Sequence, residues 1–395
     1  MKPYVGIIRK ILNIWILIFV AGTTFSIAVT QTAYFLAFVF WVLLMIYQKK
    51  FFISRTPLDY YFLAYLLVGV IATIFSVEKG NAIIFVKRLL LIPIIYLIAD
   101  NVRDKRFLKR LLFTLIGAMV ILSFIGIKKY LGGVGGVEGR LKLFHHYMTS
   151  GGILMIVSLI TFSFAFSSVP KWVRIGALAA GIIMLFPLIF TFTRSSWLGF
   201  ISGLFFIGIL QNKKLIVGLL IGIILFLFLS PAPIKKRALS IFDPHHPKNV
   251  ERIYMWKAGI KMMKDHPPTG VGDIDLGKLY QKYKLPEAKE KVGHLHNNLI
   301  MFGVTLGIPG LLVLLALFLK IFIEELKIYY STSQKDWLLR GTVLGSLAVF
   351  VGFQVNGLFE WNFGDAEIAM LLWLSVGLAL AVKKMTPAYL ESRRK

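Results

Sequence analysis

The chain consists of long apolar runs separated by short charged ones, and few folds accommodate that pattern. A helix needs about 20 mostly apolar residues to cross the hydrocarbon core of a bilayer. Twelve such runs can be read, near 11–29, 31–48, 59–76, 81–99, 110–127, 147–167, 173–192, 196–210, 214–230, 297–323, 338–355 and 366–382. Backbone groups in lipid must pair within the protein, so runs of this length cross as helices. The pattern predicts an all-α polytopic membrane protein. Its parts are nine spans over 1–230, an extramembrane segment over 231–295, and three spans with a basic tail over 296–395. The basic N-terminus leads into the first run without a small-residue cleavage site and reads as a first span, not a signal peptide.

Charge supplies the orientation. The chain carries 45 Lys+Arg against 19 Asp+Glu, a net +26, although only 16% of it is charged. A nucleic-acid binder this basic would carry charge through every element; here the charges lie between apolar runs, which points to a membrane and away from nucleic acid. Twelve spans place both termini on one side. With the termini inside, the inside segments hold Lys2/Arg9/Lys10, Lys49/Lys50/Arg55, Arg103 to Arg110, Lys171/Arg174, Lys213/Lys214, Lys327/Lys335/Arg340 and the tail with Arg393, Arg394 and Lys395. Each is basic, whereas the outside segment Asn356 to Glu367 holds Glu360, Asp365 and Glu367 with no base. This follows the positive-inside rule. The segment 231–295 then falls outside, and long loops translocate regardless of charge, so its thirteen Lys+Arg against seven Asp+Glu ask for another cause. All seven histidines fall outside too. Zero cysteines exclude disulfides, Cys-ligated metals and thiol nucleophiles.

Within the large segment, Asn249 to Lys264 reads as an amphipathic helix. Ile253, Trp256, Ile260 and Met263 recur at helical spacing, with Arg252, Lys257, Lys261 and Lys264 on the other sides, and such a helix lies on a membrane surface. His266-Pro267-Pro268-Thr269-Gly270-Val271-Gly272 ends it. The Gly-Val-Gly is not read as a phosphate cradle, because no helix start follows it. Lys87 and Arg88 lie inside the fourth span, where charge is costly; they either snorkel outward or meet a lipid-linked pyrophosphate. Arg140 and Lys142 follow a glycine-rich turn, Gly132 to Gly139, and suit lipid or sugar phosphates. Glu360 and Asp365 either orient a histidine, bind sugar hydroxyls or are simply solvated. The histidine pairs 145/146, 245/246 and 294/296 are weighed as metal ligands. No metal or other cofactor is assigned, because neighbouring histidines point apart and no carboxylate sits at a familiar spacing.

Three stretches share a family resemblance. His296-Asn297, nine residues, then Gly307-Ile308-Pro309-Gly310 resembles the signature of bacterial O-antigen ligases, in a superfamily with O-antigen polymerases and some oligosaccharyltransferases. Thr193-Arg194-Ser195-Ser196-Trp197 is similar to the family's Arg-containing turn, and Arg252-x-x-x-Trp256 to the start of its large periplasmic loop. The likeness covers residues 190 to 325; residues 1 to 180 match in topology alone. It implies an inverting, metal-free transfer of a glycan from undecaprenyl pyrophosphate to a hydroxyl of the lipid A core, at the periplasmic face of the bacterial inner membrane. It further implies that Arg194 and Arg252 hold the pyrophosphate and that His296 is the base, with Asn297, Gly307, Gly310, Trp197, Trp256 and His294 in support. The expected partners are the lipid-linked donor, the lipid A core acceptor and membrane lipids. A polymerase of the same superfamily, a protein O-oligosaccharyltransferase and a polytopic transporter are the rival readings.

Overall fold

In the computed structural model, residues 3–51, 53–80, 84–133 and 139–386 are described, and among them there are helices and no strands. The order is α1 (Pro3–Gly22), α2 (Ile27–Gln48), α3 (Asp59–Ile74), α4 (Ile84–Leu89), α5 (Pro93–Asn101), α6 (Lys105–Leu131), α7 (Tyr147–Phe166) and α8 (Lys171–Phe190). There follow α9 (Arg194–Gln211), α10 (Lys213–Leu229), α11 (Ala232–Leu239), α12 (Pro247–Asp265), α13 (Gly277–Tyr283), α14 (Asn298–Ser331), α15 (Trp337–Gly357) and α16 (Ala366–Met385). Eight of these are long and apolar enough to cross a membrane: α1, α2, α6, α7, α8, α14, α15 and α16. The chain is thus a multi-pass membrane protein. Lys2 and the tail residues Arg393, Arg394 and Lys395 lie outside the described residues, as do 134–138 in the glycine-rich turn and 81–83 at the start of the fourth predicted span.

Three spans form the core. Apolar windows of α7, α16 and α15 are 94%, 83% and 78% buried, against 22% for α8, so the first three are surrounded by protein and α8 faces outward. Gly199, Gly203 and Gly352 let α9, α15 and α7 close up: a Cβ on Gly203 would lie 2.5 Å from Leu159 Cδ2 and 2.8 Å from the Ala348 carbonyl oxygen. Small residues at helix crossings are how membrane helices gain packing without a hydrophobic driving force between them.

Of the twelve predicted runs, those at 59–76, 81–99, 196–210 and 214–230 are not among the eight helices long and apolar enough to cross, and the structure departs from the prediction in two places. The first two runs divide at Thr23 to Ser26, not near residue 30, because the Thr23 and Thr24 hydroxyls donate to the Val20 and Ala21 carbonyls and Ser26 caps α2. The fourth run is not continuous. Pro93, which has no N–H to give, opens α5, and the intervening Leu90 carbonyl accepts from Tyr34 Oη at 2.7 Å.

A third feature organises the site. α14 breaks at Gly307, whose φ of 70° and ψ of −176° are accessible essentially to glycine alone. Pro309 cannot donate to Thr305, and Ile308 donates to the Pro267 carbonyl at 2.8 Å instead of to Val304. The freed Val304 and Thr305 carbonyls accept from the N–H groups of Val271 (2.8 Å) and Gly272 (3.1 Å). The segment after α12 is therefore held by main-chain bonds to a gap in a membrane helix, irregular backbone tolerated because protein satisfies it. The Gly270-Val271-Gly272 sequence is this pairing strip. Gly307 and Gly310 serve packing: a Cβ at 307 would sit 2.8 Å from Pro267 O, and one at 310 would sit 2.2 Å from Leu306 Cβ.

Candidate active site

The start of α14 sets His296. Asn297 is the N-cap, accepting from Ile300 N–H at 3.0 Å, and His296 immediately before it has a left-handed φ of 48°. A non-glycine residue there is strained by roughly 1–3 kcal/mol, a cost that persists only where surroundings over-determine it. Those surroundings are visible. Trp256 Nε1 donates to the Leu295 carbonyl at 3.1 Å, and Asn297 Nδ2 donates to the Leu358 carbonyl at 2.9 Å. Asn298 Oδ1 accepts from Asn362 N–H at 3.0 Å. The two asparagines thereby fasten the 358–362 segment beside His296, which brings Glu360 Oε1 to 2.7 Å from His296 Nδ1. Gly357 leaves the space: a Cβ there would fall 2.1 Å from Asn298 Nδ2.

Electrostatics define the proton arrangement. Burial alone would raise Glu360, but His296, aided by Arg252 and His294, outweighs it and holds this carboxyl down at about 2. Glu360 is therefore an acceptor, and His296 Nδ1–H donates to it. His294, its ring centroid 4.2 Å from that of His296, is pushed down to about 4, chiefly by burial and then by its neighbour His296. It is neutral at physiological pH. Ligand atoms of His294, His296 and Glu360 lie within 4.8 Å of one another. No carboxylate stands at a familiar metal spacing from the histidine pair in the sequence, but the fold brings Glu360 from 64 positions away, in place to orient His296.

His296 lines a cavity of about 110 Å³ walled by Arg140, Arg194, Arg237, Lys248 and Arg252, with Glu290. The arginines differ in what they do. Arg194 opens α9 after the left-handed Phe192 (φ 51°), and its Nη1 and Nη2 donate to the Ser240 carbonyl (2.7 Å) and Asn249 Oδ1 (2.7 Å). It ties α9 to the α11–α12 connection as well as facing the cavity. Arg252, on α12, is drawn towards Glu360 and Glu290, yet burial lowers its affinity for its proton. Arg140 stacks over Tyr147 at 4.3 Å and joins the site, closer to it than the sequence places it. Arg237 Nε donates to Phe192 O at 3.0 Å. Sequence reasoning missed Arg237, since α11 is only eight residues long and matches no motif.

Other expectations need correction. Arg88 does not line this cavity: its guanidinium forks onto Asp273 and the Phe363 carbonyl and lies 4.8 Å from the Trp361 ring centre. It joins α4 to the segment after α12, which offsets the cost of a charge at that depth. Lys87 is exposed and also outside the cavity. The face of α12 that is buried is Met255, Ala258, Gly259 and Met262, packed on α14, while Ile253 and Ile260 are 38% and 41% exposed. Small and flexible side chains win because α14 approaches closely; a Cβ on Gly259 would be 2.6 Å from Ile300 Cγ2. Trp197 Nε1 donates to Leu188 O at 3.0 Å and closes the α8–α9 turn. Asp365 accepts from Thr149 Oγ1 at 3.0 Å, and His145 pairs with Glu367 at 3.3 Å, forming a second polar group beside the first.

Residues 179–315 match the family model described as O-antigen ligase, and the resemblance carried by the three motifs stands. That range contains Arg194, Arg252 and His296; Lys87, Arg88, Arg140 and Glu360 lie outside it. The chain is 24% identical over 280 residues to a Rickettsia bellii (strain RML369-C) protein named "Putative polysaccharide ligase", covering 63% of this chain. The match spans just under two thirds of that relative, 66% of its length. A solved structure described as "Structural coordination of polymerization and crosslinking by a peptidoglycan synthase complex" contains a chain at TM-score 0.48 and 13% identity, covering 85% of this chain and 99% of that one.

Proposed function

We propose that this chain is an O-antigen ligase, a glycosyltransferase that moves a glycan from undecaprenyl pyrophosphate to a sugar hydroxyl of the lipid A core, at the periplasmic face of the inner membrane and in lipopolysaccharide biosynthesis. The observation that carries the reading is a histidine–carboxylate pair on a cavity walled by guanidinium groups. A base beside an anion site is what displacement of a pyrophosphate by a hydroxyl requires.

His296 Nε2 accepts the acceptor's O–H proton as that oxygen bonds to the anomeric carbon. The bond from that carbon to the pyrophosphate breaks, and its electron pair leaves on undecaprenyl pyrophosphate with inversion. Glu360 keeps the imidazole in the tautomer that leaves Nε2 free and stabilises the imidazolium formed. Arg252 and Arg140 meet the departing charge, and Arg194 does so while holding the α11–α12 connection. Planar bidentate donors suit a pyrophosphate better than a lysine would. No step calls for a metal. In this reading both termini are cytoplasmic, nine spans precede the 231–295 segment, three follow it, and the cavity faces the periplasm.

The test is transfer by purified protein from a defined polyprenyl pyrophosphate to a panel of acceptors, with and without chelator. Product on a lipid A core glycolipid, unaffected by chelator, is expected. Elongation of lipid-linked repeats without modification of the core would make the chain a polymerase; loss of activity with chelator would overturn the metal-free step. Arg252→Lys should lower kcat/KM by about 10–100-fold, since the charge remains but the fork does not.

A further inference from the structure

A separate groove lies at the end of the bundle away from His296. It runs between α6 and α8 over a floor of Thr161 and Phe164 from α7 and Leu338 from α15, and encloses about 340 Å³. The helices leave this space open instead of closing it. A Cβ on Gly117 of α6 or on Gly176 of α8 would meet no atom within 4 Å, whereas one on Gly203 would strike Leu159. Phe113 and Trp172 line the groove and are each 58% exposed, so it opens sideways to lipid.

Length limits what can fill it. The α6 lining runs from Lys109 to Val120, about 16 Å of helix axis and so roughly half of a ~30 Å hydrocarbon core. A partner helix crossing the bilayer would need a groove of full width; an acyl chain of one leaflet needs half. Charge limits the rest. Lys109 stands at the outer end of the groove, its Nζ 5.6 Å from the Phe113 ring centre and 5.2 Å from that of Trp172. Two aromatic faces hold the cation there, and among the described residues no carboxylate lies within 4 Å of it. Arg106, one turn nearer the helix end, is exposed and shares its face. The carboxylates at this end are engaged elsewhere: Asp336, Asp100 and Glu324 with lysines other than Lys109, Asp104 as the cap of α6, Asp59 with Tyr96 and Glu325 with Ser346. The counter-charge for Lys109 therefore comes from outside the chain, and a second copy would bring the same basic end. We infer that the groove between α6 and α8 binds an anionic phospholipid, phosphatidylglycerol, with one acyl chain along Ile116, Gly117 and Gly176 and its phosphate at Lys109. Basic pockets between membrane helices suit such headgroups. The site shares no lining residue with the His296 cavity, so it stands or falls apart from the proposed reaction.

The test needs no turnover. Protein in phosphatidylethanolamine nanodiscs is irradiated with phosphatidylglycerol that carries a diazirine on one acyl chain, or with phosphatidylethanolamine that carries the same probe. Label within residues 112–120 and 172–180 is expected, about fivefold stronger from phosphatidylglycerol. Lys109→Ala should remove that preference and Lys109→Arg should keep it. Gly176→Leu, whose side chain enters open space, should bring labelling by both lipids down to the level of the other exposed helices, with an unchanged melting temperature as the folding control. Lys213→Ala removes an exposed cation at the same end of the bundle but outside the groove, and should leave the preference intact. Equal labelling by the two lipids, or a preference that Lys213→Ala reduces as much as Lys109→Ala does, would make the attraction a property of the whole basic end and overturn the site. Two copies per particle in the unaltered protein and one in Gly176→Leu, counted by native mass spectrometry, would give the groove to a second copy and overturn it as well.

Discussion

The two ends of the helical bundle use charge in opposite ways. At the end away from His296, within a surplus of basic residues, each of three carboxylates has lysine as its partner. Glu324 is within 3.1 Å of Lys320 and of Lys327 and 3.5 Å of Lys383, Asp336 is 2.6 Å from Lys105, and Asp100 pairs with Lys384. At the His296 end the cavity wall carries four arginines and Lys248 against Glu290, while Glu360 is turned to a histidine. Paired charge holds helices together; surplus cation around a cavity would favour an anion. Each prediction below either breaks that contrast or measures it.

The largest effect is expected at His296. Replacement by alanine removes the proposed base and should lower kcat by about 10²–10⁴-fold. His296→Gly is the informative companion. It removes the same base and also relieves the left-handed φ of 48°, so it should be as inactive as alanine but more stable by about 1 kcal/mol, read from denaturant or thermal unfolding. An alanine variant that keeps near-normal kcat would place the base elsewhere and remove the functional half of the contrast.

Next is Gly307→Ala, which tests whether the site depends on the broken helix. The added Cβ meets Pro267 O and Gly270 N at 2.8 Å in a backbone region that only glycine tolerates. Loss of about 2 kcal/mol or more is expected, with the strip at 270–272 more readily cut by protease than the opposite end. A Gly307→Ala protein with unchanged stability would mean that the break does not hold the loop.

A pH titration separates two neighbours. His294 has its folded pKa depressed to about 4 from an ordinary 6.5. Between those values the unfolded chain binds a proton that the folded chain refuses, so stability falls as pH drops from 6.5 to 4 and this contribution levels off below. Glu360, depressed to about 2, contributes stability above about 4.5 that is lost as pH falls towards 2. His294→Gln should flatten the melting-temperature slope between pH 4 and 6.5 and leave the lower window intact. An unchanged upper slope would show that His294 is not what resists protonation.

The pattern of residues shows the apolar helices and the His296 motif plainly, because both are local: an apolar run states its own length, and a cap states its own start. α7 and α15 begin and end within two residues of the runs read for them. Glu360 is not legible in that way. It reaches His296 through Asn297 and Asn298, whose bonds to the 358–362 segment exist only after α14 and α15 have packed. Arg88 misled for the complementary reason. A charge within an apolar run announces that something compensates it, but the sequence cannot say that the compensation is Asp273, 185 positions on, rather than a ligand. Arg237 sits on a helix of eight residues that matches no motif, so only the cavity reveals it. Local signals survive translation into structure; partnerships across the bundle are written in the packing.

The smallest expected effect probes the matched end. Lys327 is 65% exposed at its side chain, and Glu324 retains Lys320 and Lys383 when it is removed. Screening by solvent and the remaining partners limit Lys327→Ala to about 0.2–0.5 kcal/mol in stability. Removing a cation from the His296 end should differ in kind under the proposed reaction, since the arginines there would face the donor's pyrophosphate. A Lys327→Ala protein that lost transfer, with its melting temperature nearly unchanged, would show that charge at the far end reaches the site. The two ends would then be one electrostatic system, and the contrast between fold-making and anion-binding charge would no longer hold.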